Sequence, residues 1–350
     1  MSGLIADIGG TNARFGMVGD DGITRQVLRL ACRDFPTLVD ACRHYLTHLG
    51  AAEPPRAGAI AVASPVSGDE VKMTNHIWSF SVEETRRQLG FDTLNVINDF
   101  VAIALSLPHL FGDDVVKVGT GEALPHGAIG VLGPGTGLGV SAMIPTGLGW
   151  TPLTSEGGHV TAPAFDDREA AVLAAVRRHR LRSGKDDHVS AERVISGPGL
   201  VNLYQAIAEV DGVAVDPAIT PPECTRRAID GSCPIAVNTV AMFSEMLGTI
   251  AANLALTLNA RGGIYIAGGI VPQLGETFVK SGFRARFEDK GRFGGYLQSI
   301  PTWVVVEPLP AFVGLATLVG GRAAVTHHLP GEISSTTSAE ASSASDGGAK

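Results

Sequence analysis

The chain repeats one device that restricts its fold more than any other feature: a short apolar strand, a glycine-rich turn, and a second strand. Residues Leu4–Ile8 and Arg14–Val18 read as strands around Gly9, Gly10, Thr11 and Asn12, residue types suited to a hairpin tip that needs positive φ. Residues Ala128–Leu132 and Val140–Ile144 flank a second such turn, Gly133–Gly139. With 350 residues to distribute and helical patterns between the units, two related α/β halves are expected. Glycine numbers 44, nearly twice its ordinary share, so many backbone positions need positive φ or close approach to another group. Phosphate-binding turns are a frequent reason.

Strand and helix alternate through the rest. Phe35–Leu49 carries Leu38, Cys42, Tyr45, Leu46 and Leu49 at helical spacing, and Ala59–Ala63 is an apolar run of strand length. Ser81 with Glu84 three residues on predicts a capped helix start. Leu94–Ile97 then reads as a buried strand ending at Asn98 and Asp99, with a helix from about Phe100. In the second half Asp166 and Glu169 open a helix that closes on Arg177, Arg178, His179, Arg180 and Arg182, cations favoured at a helix C-terminus and read as a solvated end. Pro234–Ala260 predicts a long helix, Ile264–Ala267 a buried strand, Pro272 a helix start and Thr302–Val306 a last strand. From Leu329 onward the chain is rich in Ser, Thr, Ala and Gly, cannot offset its ordering entropy by burial, and is expected to be a disordered tail, 329–350.

Charge and cysteine usage exclude several classes of function. A net charge of −8, with no basic run interleaved with aromatics, argues against nucleic acid as a partner. Cys32, Cys42, Cys224 and Cys233 form no CxxC pair, so neither a zinc ribbon nor a thioredoxin-type motif is expected, and four thiols suit a reducing cytoplasm. The segment Met1–Gly10 has no basic start and holds Asp7 among its apolar residues, unlike a signal peptide. The longest stretch without acidic or basic residues, Gly127–Ser155, is punctuated by Gly and Pro, so no membrane span is expected.

Chemistry concentrates at the two turns. Asp7 at a strand end, beside the amides and polar side chains of Gly9, Gly10, Thr11 and Asn12, suits Mg²⁺ and phosphate oxygens, although the same residues can form a plain hairpin with a hydrogen-bonded Asp. No GxxxxGK[ST] loop occurs. The second turn misses the dinucleotide spacing GxGxxG because Leu138 occupies the last glycine position. It is either a structural turn or a second set of amides, with Thr136, on the other side of a polyphosphate.

With these motifs the chain resembles the bacterial glucokinases of the hexokinase/actin-like ATPase superfamily. The resemblance runs in order through Asp7–Arg14, Asn98–Phe100, Gly135–Gly139, Glu156–His159, Ser196–Tyr204, Ile266–Pro272 and Phe283–Phe293, covering about Leu4 to Arg322. It implies two α/β domains of ribonuclease H-like topology around a cleft. Residues 1–109, completed by 307–328, are expected to form the smaller domain and 110–306 the larger. It also implies an ATP-dependent kinase of the glucose 6-hydroxyl, with glucose and MgATP as partners and a homodimeric state.

By the same resemblance Asp99 is the general base. In a loose phosphoryl-transfer transition state it orients the hydroxyl and receives its proton late, for which an ordinary carboxylate pKa suffices. Asn75, Asn98, Glu156, His159 and Glu192 join Asp99 on the sugar, with the glycines between Glu156 and His159 letting backbone approach the ring. Asp7 holds Mg²⁺, directly or through water. Gly9, Gly10, Thr11, Asn12, Gly135, Thr136 and Gly137 attend the phosphates, and Gly268 and Gly269 form the adenosine-side turn. Pro134 departs from the pattern and removes one amide donor. Val160–Arg168 holds no cysteine, so the zinc site of the related repressor/kinase branch is not expected. Another hexose, another phosphoryl donor and a sugar sensor of the same fold remain the alternatives; a DNA-binding regulator would need a segment ahead of Asp7.

Overall fold

A computed structural model describes residues 3–50, 55–74, 76–147, 149–214 and 216–320. The expected tail and Asn75 lie outside the described residues. The first sheet is built from β1 (Gly3–Ile8), β2 (Asn12–Val18), β3 (Thr24–Ala31), β4 (Ala57–Val62) and β7 (Thr93–Asn98), in the order β3-β2-β1-β4-β7. The hairpin β5 (Glu70–Lys72) and β6 (Ser79–Ser81) stands apart from it. The second sheet orders as β11-β10-β9-β12-β13-β8, from β8 (Val115–Val118), β9 (Ile129–Pro134), β10 (Leu138–Thr146), β11 (Gly149–Leu153), β12 (Gly263–Ile266) and β13 (Thr302–Val305).

The two sheets share one topology. In each, an antiparallel three-strand meander continues into two parallel strands, β4 and β7 in the first and β12 and β13 in the second. This is the duplicated ribonuclease H-like arrangement, with β8 as an extra antiparallel edge strand. The second glycine turn is tighter than its sequence suggests. β9 extends to Pro134 and β10 begins at Leu138, directly paired, so only Gly135, Thr136 and Gly137 form the tip.

Local chemistry sets the helix starts. Ser81, Asp166 and Thr220 each accept a hydrogen bond from the N–H three residues on, as N-caps do. The helix near Pro272 starts earlier than expected, at Ile270, directly after Gly269. The Pro234–Leu258 helix is long and apolar enough to cross a membrane, but Phe243, Leu247 and Ala251 are fully buried and it forms the spine of the second half's core. Each such large side chain removed from water contributes about 1.5–3 kcal/mol. Its buried Thr239 and Ser244 donate to carbonyls one turn back, at 2.7 and 2.8 Å, so no hydroxyl is stranded there. At the basic end of the Asp167–Arg182 helix Arg177, Arg178 and Arg182 are exposed, as expected of a solvated end, and Arg178, His179 and Arg182 also converge on Glu209 of the neighbouring Gly197–Asp211 helix, while Arg180 is buried.

Two helices connect the halves. The Asp99–Ser106 helix places Ala102 in an apolar cluster with Ile5 and Ala59 of the first sheet, and Ala104 in another with Val131 and Tyr265 of the second. The Pro310–Val319 helix returns to the first sheet, burying Phe312 and Leu315 against it. The segment after β7 therefore lies at the seam between the sheets.

Candidate active site

Strands β1, β4 and β7 run parallel and in register, so Ile8, Val62 and Asn98 end side by side, and the residues that follow share one sheet edge. β9 and β12 do the same in the second sheet, with Leu132 beside Ile266. Functional groups in open α/β sheets gather at such carboxyl edges. Here the edges carry Asp7, Asp99, the Gly135–Gly137 tip and Gly268.

Asn98 caps the helix that Asp99 opens. Its Oδ1 accepts the Phe100 N–H at 2.9 Å while its Nδ2 donates to the Ser64 carbonyl at 3.4 Å. The Phe100 N–H also lies 3.0 Å from Asp99 Oδ1, fixing that carboxylate against the backbone. Burial pushes the Asp99 carboxyl up to about 6, with the Asp7 charge adding to the effect. An ordinary carboxylate pKa would suffice for a late proton transfer, yet this one is displaced toward neutrality for two physical reasons the sequence did not display: desolvation at the seam and the proximity of a second acid.

Asp7 is the cross-strand partner of Arg14, whose Nη1 donates to Asp7 Oδ2 at 3.2 Å. Burial raises the Asp7 pKa and Arg14 opposes that rise. Asp7 Oδ1 has no hydrogen bond among the described residues. Mg²⁺ is usually held by one or two carboxylates plus substrate phosphates, and this half-committed carboxylate fits that requirement. No group of three or more His, Cys, Asp or Glu residues that could hold a metal exists among the described residues.

Both hairpin tips spend their first amide internally. Gly9 N–H donates to the Asn12 carbonyl at 3.0 Å and Gly135 N–H to the Gly137 carbonyl at 2.8 Å. Gly9 and Gly135 thus use their own N–H groups to close the turns. The N–H groups of Gly10 and Thr11 in one tip, and of Thr136 and Gly137 in the other, make no hydrogen bond among the described residues. Pro134 is the last residue of β9 and lies below the tip.

The second tip is held from two sides. Glu192 Oε2 accepts the Leu138 N–H at 3.3 Å, and its carboxylate lies where a Cβ on Gly137 would fall. Gly197 N–H donates to the Gly135 carbonyl at 2.8 Å. Ser196–Tyr204, matched in sequence as a motif, turns out to be the N-terminus of a 15-residue helix capped by Ser196. Glu156 and His159 stand 3.8 Å apart and are mostly exposed. The glycines between them pack on β10: a Cβ on Gly158 would lie 1.9 Å from the Leu138 carbonyl oxygen. Gly268 has φ +82° and packs on the Pro134 carbonyl, while Gly269 is open to solvent.

Residues 4–321 match the family model described as Glucokinase. A Glucokinase of Paramagnetospirillum magneticum is 51% identical over 317 residues, covering 90% of this chain and 97% of that one. The Bifunctional protein glk of Paraburkholderia xenovorans is 48% identical over 318 residues, and the chain spans about half of that relative, 48% of its length. Among solved structures, a glucokinase from an Antarctic psychrotroph superposes with a TM-score of 0.82 at 34% identity, covering 92% of this chain and 99% of that one.

Proposed function

The chain belongs to the glucokinase family, and from that premise we propose that it transfers the γ-phosphoryl group of MgATP to the 6-hydroxyl of glucose, releasing glucose 6-phosphate and ADP. The observation that supports this chemistry most is the placement of two carboxylates, Asp7 and Asp99, the first raising the pKa of the second, at the sheet edges that also carry the glycine tips. Asp99 accepts the hydroxyl proton as the O6 lone pair forms the new bond to phosphorus. The bond from phosphorus to the ADP oxygen breaks, and the electron pair leaves with ADP. A carboxylate near pKa 6 is ionised at neutral pH yet basic enough to receive that proton. Asp7 is the residue to hold Mg²⁺, which when bound supplies charge neutralisation between phosphate oxygens. The amides of Gly10, Thr11, Thr136 and Gly137, with the side chains of Thr11, Asn12 and Thr136, orient the phosphates without any chemical step of their own.

Asn98, Glu156, His159 and Glu192 are assigned to sugar hydroxyls, together with Asn75. Gly268 and Gly269 are assigned to the adenosine side. Residues 1–109 with the returning Pro310–Val319 helix form one wall of the cleft in this reading, and 110–306 the other. The four cysteines are unpaired and three are buried, which fits the reducing cytoplasm proposed for the protein. The homodimer is tested by light scattering.

The function is tested by supplying MgATP with a panel of hexoses and following ADP and sugar phosphate together. Glucose-dependent formation of both products in equal amounts is expected. Phosphorylation of a different hexose alone changes the substrate, and silence with every sugar turns the reading toward a sensor. In the same assay Glu156→Ala is expected to raise the glucose KM about 10–100-fold with kcat nearly unchanged, the worth of a hydrogen bond to a charged group made equally in ground and transition states. An unchanged KM removes Glu156 from the sugar site.

A further inference from the structure

The residue after the proposed base reaches across the seam. The Phe100 ring lies against the second glycine hairpin: a Cβ built on Gly139 would fall 1.9 Å from its Cδ2, and one on Gly133 would fall 2.4 Å from its Cζ. No side chain fits at either position while the ring is there. Gly133 and Gly139 are a cross-strand pair at the base of the tip, so the two bare backbones form one slot. On the Gly268 side, a Cβ would meet the Pro134 carbonyl at 2.4 Å, so the adenosine-side turn rests on the same hairpin. The ring is also short-tethered: the Phe100 N–H is held by Asn98 Oδ1 and lies against Asp99 Oδ1.

From this we infer that Phe100 is a positioning residue, a wedge that fixes the distance between the Asp99 carboxylate and the phosphate hairpin of the opposite sheet. The inference rests on the proposed phosphoryl transfer for its kinetic consequence and on the packing alone for its structural one. Each substrate can still meet its own half of the site without the wedge. What is lost is the register between hydroxyl and phosphoryl group, which is required at the transition state. A reacting pair misplaced by about 1 Å can cost 10²-fold in rate.

The test compares wild type, Phe100→Ala, Phe100→Leu, Gly139→Ala and the double variant Gly139→Ala/Phe100→Leu. For Phe100→Ala, kcat is expected to fall about 10–100-fold while separately measured Kd values for glucose and ATP stay within about threefold. Gly139→Ala drives a methyl into the ring and is expected to lose activity similarly. Removing the aromatic ring in Phe100→Leu should then restore part of it, at least tenfold over Gly139→Ala alone, a coupling that independent sites do not show. If Phe100→Ala does not fold, Phe100→Leu and the double variant decide.

A kcat within threefold of wild type for folded Phe100→Ala and Phe100→Leu overturns the inference. So does a double variant no more active than Gly139→Ala, or activity that falls only with the unfolded fraction. Thermal unfolding of the same proteins reads the wedge contact without any substrate. A wild type inactive on glucose therefore counts against the proposed function, while additive Tm changes for Phe100→Leu and Gly139→Ala count against the wedge itself.

Discussion

Asp99→Asn is expected to lower kcat by roughly 10²–10⁴ while glucose still binds, the loss associated with removing a general base. The substitution keeps the size and the hydrogen-bonding oxygen that faces the Phe100 N–H, so the helix start survives. Its effect on stability has the opposite sign. Burial raises the folded-state pKa from its ordinary 3.8 to about 6, so the folded protein binds the proton more tightly than the unfolded chain between those values. Stability therefore falls as pH rises through this window, and the ionised group costs at most about 3 kcal/mol at neutral pH, at 1.36 kcal/mol per pH unit. The neutral Asn removes that cost. An inactive variant with a Tm at or above wild type, and a retained glucose Kd, is the expected combination. A stable Asp99→Asn protein that turns over at the wild-type rate excludes Asp99 as the base.

Asp7→Asn is expected to act on rate and pH together. Losing the charge proposed to hold Mg²⁺ is expected to cost roughly 10²–10³ in kcat, the usual scale for removing one electrostatic stabiliser of a transition state, and to raise the Mg²⁺ concentration needed for half-maximal rate. The residual activity carries a second signature. Because the Asp7 charge helps raise the Asp99 pKa, the acid limb of the residual rate should move to lower pH. A variant whose rate and Mg²⁺ dependence match wild type would remove Asp7 from the metal site, and an acid limb that stays in place would remove its influence on Asp99.

Much of this arrangement was legible because it is local. A hairpin declares itself through its tip residues, and a carboxylate after a buried strand is already at a sheet edge. Capping did the same for Ser81 and Asp166. What escaped was set by contacts distant in sequence. β3 is a polar edge strand whose alternation is broken at Gln26, with φ +57° where the register with β2 shifts between Phe15 and Met17, so no run of two-residue periodicity marks it. The Gly197–Asp211 helix begins inside a Ser-Gly-Pro-Gly run that reads as a turn, although Ser196 is a regular N-cap and Pro198 sits in the first turn, where proline is tolerated.

The glycines show the same division most plainly. Gly133–Gly139 stand out in sequence as a turn built for phosphate, yet only Gly135 and Gly137 lie in its tip, and Gly133 and Gly139 are bare because Phe100 occupies the space. Gly157 and Gly158 likewise serve close packing on β10. Composition announces that a glycine is needed; only the residue across the seam says why. The raised pKa of Asp99 belongs to the same class, since neither its burial nor the nearness of Asp7 is encoded within reach of Asn98–Phe100.

The central claim, that a half-buried Asp99 accepts the proton from glucose during phosphoryl transfer, is tested most directly by the pH dependence of kcat/KM for glucose with saturating MgATP. The expected profile has an acid limb centred near pH 6, falling tenfold per pH unit below it, with glucose 6-phosphate and ADP formed together throughout. A rate independent of pH down to 4.5, or ADP released without sugar phosphate, contradicts it.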